Sequence, residues 1–145
     1  MTASEFVSLM KSRGAVLHGP AAAREVDLAN TGLRIRRCAM MPAAIRELYA
    51  IAGGIEMGAG YIFGPTDIDR GREYPVPSIV RINDEIAATG QNTDGKTIFG
   101  RNDLFFFAFD AFGVFYMLDN LSLRPMKKYD DAWRAMSDCL VGGRF

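Results

Sequence analysis

Apolar residues recur along this chain with two periods, and the change of period divides it. In SEFVSLMKSRG, Phe6, Leu9 and Met10 fall on one helical face. That predicts a short amphipathic helix with Ser4 as its cap and Gly14 as its stop. PAAAREVDLAN predicts a second helix, with Pro20 in its first turn and Asn30 and Gly32 at its end. In GLRIRRCAM, Leu33 and Ile35 alternate with arginines, as in a short strand or a half-buried loop. The clearest helical period lies in MMPAAIRELYAIAGG, where Ile45, Leu48, Tyr49 and Ala52 form one stripe. Pro42 suits its first turn, and Gly53 and Gly54 allow a left-handed cap.

Further on, the period shortens to two. Tyr61 to Phe63 reads as a short strand bounded by glycines, and Pro75 and Pro77 mark a rigid loop. SIVRINDEIAAT returns to a helical period, with Ser78 as cap, Gly90 as stop, and Ile79, Ile82 and Ile86 along one side. Asp94–Gly95 is a turn signal. KTIFG, LFFFAF and VFYML are strand-like, and the last two meet in a hairpin at Asp110 to Gly113. Within LFFFAF, Phe105, Phe107 and Phe109 point one way while Phe106 and Ala108 point the other. Apolar residues on both faces imply a central strand. YDDAWRAMSDCL closes the chain as a helix, with Asp130 as cap and Trp133, Met136 and Leu140 facing inward. The order predicts one α+β domain over residues 1–145, with a mainly antiparallel or mixed sheet and helices packed on it. The second sheet face is left to meet a loop, a partner or a second copy.

Charge narrows the classes of partner. Seventeen basic residues balance seventeen acidic ones, so no global attraction to nucleic acid or anionic lipid follows. Arg34, Arg36 and Arg37 form the main basic cluster and Arg70 and Arg72 a lesser one; both read as solvated faces, and direct nucleic-acid binding is not expected. The phenylalanine run is shorter than the ~20 apolar residues of a spanning helix, and Asp110 interrupts it. The start lacks the apolar core of a secretion signal, so a cytoplasmic protein without a membrane anchor is the expectation. Cys38 and Cys139 match no zinc or redox spacing and read as free thiols.

The familiar chemical motifs are missing. His18 is the single histidine, and no Gly-x-Ser-x-Gly elbow is present. GGIEMGAG follows a helix, whereas a dinucleotide fingerprint follows a strand. Asp67 and Asp69 lack the calcium-loop pattern, and Asp84 and Glu85 read as a charged helical surface. Asp110 and Asp119 sit at strand ends as turn formers. No cofactor, metal site or catalytic set is expected.

Four segments together resemble the SUKH superfamily: MPAAIRELYAIAGGI, GYIFGP, LFFFAFDAFGVFYML and YDDAWRAM. The resemblance runs from Pro42 to Met136, and the first 41 residues add little to it. Pro42 matches the family's helix start, Gly53 and Gly54 its glycine stop, Asp110 and Gly113 its hairpin turn, and Trp133 its aromatic anchor. Ala52 departs from the pattern, which often has asparagine there.

The resemblance implies a mixed sheet flanked by helices, no required cofactor, and a protein-binding role. Many bacterial members look like immunity proteins that block a cognate toxin, and fungal members look like regulators of cell-wall synthesis. On this reading the partner is a protein, a toxin, and Asp67, Asp69, Asp84 and Glu85 are candidates to face its basic surface. Two other expectations stand beside it. One is a small-molecule binder or small enzyme with a pocket between the aromatic strands and an acid such as Asp110 or Asp119. The other is a homodimer built on the second apolar sheet face.

Overall fold

The computed structural model describes residues 1–69, 71 and 75–142. Arg70 and Arg72 lie outside them, as does part of the loop before Pro75. In chain order the elements are α1 (Ala3–Ser12), β1 (Val16–Leu17), α2 (Ala23–Ile35), α3 (Ala43–Tyr49), β2 (Ile55–Met57), β3 (Gly60–Ile62), α4 (Ile79–Ala88), β4 (Thr97–Arg101), β5 (Phe105–Phe109), β6 (Phe115–Asp119), β7 (Pro125–Tyr129) and α5 (Ala132–Val141). The strands form one seven-stranded sheet in sequence order. Each neighbouring pair is antiparallel. The fold is α+β, an antiparallel meander with helices packed against it.

The phenylalanine run is the interior strand β5, and both its faces are buried at the centre, where Phe107, Ala108 and Phe109 are inaccessible. Phe107 pairs with Gly100, and a side chain at Gly100 would meet Cys139 of α5, so α5 covers the face carrying Phe105, Phe107 and Phe109. A bulge between Ile98 and Gly100 adds Phe99, whose ring stacks on Phe109 at 6.1 Å and meets Phe115 edge-on at 5.3 Å. On the opposite face Ile98, Ala108 and Leu118 are buried too. Its rim is cationic and aromatic, with Arg101 5.8 Å from the Phe106 ring and Lys96 4.9 Å from the Tyr116 ring. That face therefore has its apolar centre closed within one chain, which removes the ground for placing a second copy over it.

Several local expectations change for physical reasons. Thr2, not Ser4, caps α1, accepting from Glu5 N. Helix α2 does not stop at Asn30 and Gly32 but continues to Ile35, so the arginine alternation is its last turn and not a strand. Gly32 is a packing residue: a Cβ there would stand 3.2 Å from Val80 of α4. Asn30 spends its side chain outside the helix, accepting from Met41 N. The real stop is Arg37, at φ 58, with Arg37 N donating to Arg34 O and Cys38 N to Leu33 O. These are the two bonds of a Schellman ending, made without glycine.

Pro42 sits at the N-cap of α3 instead of inside its first turn, and α3 ends at Tyr49. Gly53 and Gly54 therefore lie beyond the helix and do not cap it. They allow three backbones to meet: a Cβ at Gly53 would lie 2.8 Å from Gly19 O, and one at Gly64 would lie 1.8 Å from Gly53 O. The buried Tyr49 hydroxyl donates to Phe63 O in the same region. Ser78 caps α4 as expected, and Ile79, Ile82 and Ile86 are buried. Asp94 and Gly95 both take positive φ, and Lys96 N closes the turn onto Thr93 O, as a type I′ turn requires. Asp131, not Asp130, caps α5 through Trp133 N. Trp133 packs on Phe6 of α1 with ring centroids 5.4 Å apart.

Strand β3 is too short to cover all of β4. Asn83 of α4 fills the gap. Its Nδ2 donates to Ile98 O at 2.9 Å and its Oδ1 accepts from Ile98 N at 2.9 Å, the pair of bonds a neighbouring strand would make. Nδ2 also donates to Ile79 O, so this buried amide is satisfied on both sides.

Candidate functional site

The β5–β6 hairpin ends in a turn built around Asp110. Its Oδ1 accepts from Phe112 N at 2.8 Å and Val114 N at 3.0 Å, and its Oδ2 accepts from the Tyr116 hydroxyl at 2.9 Å. Gly113 N donates to Asp110 O, with Gly113 at φ 78. Partial burial pushes the Asp110 carboxyl up, but the bonds from Val114, Phe112 and Tyr116 outweigh it and hold the group below the usual carboxylate range. The bonds from Phe112 N, Val114 N and Gly113 N fix the backbone on either side of Phe112, and the Tyr116 hydroxyl holds the carboxyl that accepts two of them. Phe112 is 91% exposed, the most exposed of the large hydrophobics among the described residues. The result is a free phenyl ring on a rigid turn.

Pro42 closes on this turn: a Cβ at Gly113 would lie 3.8 Å from it. The structure thus brings Pro42, Asp110 and Gly113 together at one end of the sheet. Gly53 and Gly54 join other backbones, and Trp133 lies against α1. Phe112 was missed as a functional candidate in the sequence, although a signal exists. In DAFG the Asp–Gly frame makes a tight reversal, and a large apolar residue at the tip of such a turn falls outside the strand alternation that would bury it.

The acids expected to face a partner are mostly engaged on their own surface. Arg81 binds Asp67 at 2.9 Å and Glu85 at 3.3 Å, while Arg36 binds Asp84 at 2.7 Å. Asp67 also accepts from Ser78 N at the start of α4. Asp69 accepts from Gly71 N within its loop. The four carboxylates are not brought into one uncompensated acidic patch. Contacts with Asp67 and Asp84 hold the Arg81 and Arg36 guanidinium groups firmly charged.

An open cleft of about 630 Å³ lies at the other end of the sheet, between the β2–β3 turn, the β4–β5 turn and the end of α5. Phe105, Phe107 and Met117 floor it, and Asp103 and Asp138 supply its acids. The expected aromatic-lined pocket exists in outline, but neither Asp110 nor Asp119 reaches it. Asp119 instead folds the β6–β7 turn, accepting from Ser122 N, the Ser122 hydroxyl and Leu121 N, which hold its carboxyl low.

The remaining reactive groups are structural in their surroundings. His18 Nε2 lies 2.6 Å from Glu56 Oε2, half-buried. Cys139 is a buried free thiol pushed strongly up by burial, which makes it a poor nucleophile at neutral pH. No group of three or more histidine, cysteine or acidic side chains among the described residues is arranged to hold a metal ion. No helix among them is long and apolar enough to cross a membrane. A scan of the chain against protein-family models matches none, and a search of curated proteins finds no match.

Proposed function

We propose that the chain is a protein-binding module, an immunity protein that acts in the cytoplasm and neutralises a cognate bacterial toxin. The observation that carries this reading is Phe112. A phenyl ring left in water forgoes about 1.5–3 kcal/mol of burial. Here it is held out by a turn whose hydrogen bonds leave it little freedom to fold back. A fixed exposed aromatic is the kind of residue that dominates binding interfaces, because it brings large apolar area with little conformational entropy to lose. The resemblance of the helix, hairpin and closing helix to the SUKH superfamily supplies the toxin-neutralising part of the reading.

The test is capture with tagged wild-type protein and with Phe112→Ala from the producing organism, followed by mass spectrometry. The reading expects a near-stoichiometric toxin-like partner with the wild type, lost with the variant at unchanged melting temperature. Equal recovery by both proteins rejects Phe112 as the anchor, and no partner while candidate toxins are expressed rejects the module. The cleft floored by Phe105, Phe107 and Met117 favours a second reading, a small-molecule binder or small enzyme. A ligand retained through purification and released by denaturation would support it.

A further inference from the structure

The cleft at the end of α5 differs from its neighbours in charge. Three other clefts on the described surface each carry arginine: Arg134 in one, Arg36 and Arg37 in another, Arg81 and Arg101 in the third. This one has no lysine or arginine among its described lining residues and has two aspartates. Asp138 is offset, since its Oδ2 binds Lys127 Nζ at 3.3 Å and the Tyr129 hydroxyl at 2.7 Å. Asp103 is exposed beside the cleft's apolar floor. The C-terminus of α5, capped by Gly142 in the left-handed region, adds the negative end of a ten-residue helix, worth about half a charge.

The floor suits the stem of a cation as well as its charge. Phe105 and Met117 are half-buried and so still present surface, and Met57 forms part of the wall. A cation over an aromatic face gains from the ring quadrupole, and methylene groups beside it gain by burial. The apolar surface also continues outward. Leu104 is 64% exposed on the cleft's edge, and the neighbouring β6–β7 turn is tied to it by Asn120 Nδ2 donating to Asp103 O. A lone small cation would leave that edge uncovered, whereas a polypeptide carrying the cation would cover it.

We infer that this cleft docks an arginine or lysine side chain of a protein partner, with its charge toward Asp103 and the α5 C-terminus and its stem on Phe105 and Met117. This site is separate from the Phe112 turn and does not depend on the toxin reading.

The test is an NMR titration of the full chain, following the Phe105 ring and the Met57 and Met117 methyls. The probes are the capped peptide Leu-Arg-Leu, the same peptide with neutral citrulline for arginine, and ethylguanidinium alone. The arginine peptide is expected to shift these signals and saturate in the millimolar range. The citrulline peptide and ethylguanidinium should each bind about threefold to tenfold more weakly. Asp103→Asn, an exposed change, should weaken the arginine peptide about threefold while leaving the citrulline peptide unaffected. No shift up to tens of millimolar overturns the proposal. Equal binding of arginine and citrulline peptides overturns the cation, and ethylguanidinium binding as well as the peptide overturns the polypeptide occupant. None of these results bears on capture through Phe112, so failure here and failure of the toxin reading are distinguishable.

Discussion

At the residue scale, two polar side chains do work that apolar packing cannot. Asn83 is buried and stands in for a missing strand beside Ile98. Replacing it with leucine keeps the volume but leaves the Ile98 N–H and C=O without those partners. Each orphaned buried group costs about 1–3 kcal/mol, so Asn83→Leu, which orphans two, should lower stability by about 2–6 kcal/mol in urea unfolding. A loss under about 1 kcal/mol would mean water reaches Ile98. Asp110 does the same for the hairpin tip, and its effect depends on pH. Its carboxyl is depressed in the folded protein relative to about 3.9 in an open chain. The stability it contributes is therefore complete above about pH 4 and is lost as pH falls through the folded value. The protection of the Phe112 and Val114 amides, measured against the open-chain exchange rate at each pH, should fall over that acid range in the wild type. In Asp110→Ala, which removes the acceptor, protection should be low throughout, with no such step.

At the element scale, periodicity made much of the architecture readable, and close contact hid the rest. The α4 stripe of Ile79, Ile82 and Ile86 and the two-faced alternation of β5 act within single elements, so their sequence pattern was enough. The α+β class followed from their order. Gly32 was misread as a stop because its reason lies in Val80, far along the chain. Gly53 and Gly54 look like a helix cap locally, yet their role is set by Gly19 and Gly64. No local signal separates a capping glycine from one that admits a second backbone. Two variants test these assignments. Arg37 occupies a left-handed site that glycine prefers. Arg37→Gly should therefore raise stability by about 0.5–1 kcal/mol and the melting temperature by about 2–4 °C. Gly64→Ala would press a methyl group against Gly53 O, so it should cost about 3 kcal/mol or more, or prevent folding. A neutral result in thermal unfolding would mean the two backbones can part.

At the scale of the whole molecule, the meander sets the two proposed binding features at opposite ends. One end carries the Asp110 turn and Phe112, close to Pro42; the other carries the cleft beside α5. The four acids expected to face a partner lie on α4 and in the loop before it, where Arg36 pairs with Asp84 and Arg81 is shared between Asp67 and Glu85. Sequence alone could not reveal that pairing, because Arg36 and Asp84 come from different helices and Asp67 from a loop. The cleft was equally unreadable, since its walls come from turns distant in the chain. On the proposed reading, binding uses the projecting aromatic and the shaped groove. The most direct test is growth of cells carrying each toxin gene found beside this one, with wild-type protein or Phe112→Ala expressed at equal, folded levels. Wild-type protein should restore growth against one toxin, and the variant should fail to. Cells that stay fully sensitive to every such toxin despite the wild-type protein would contradict the proposed function.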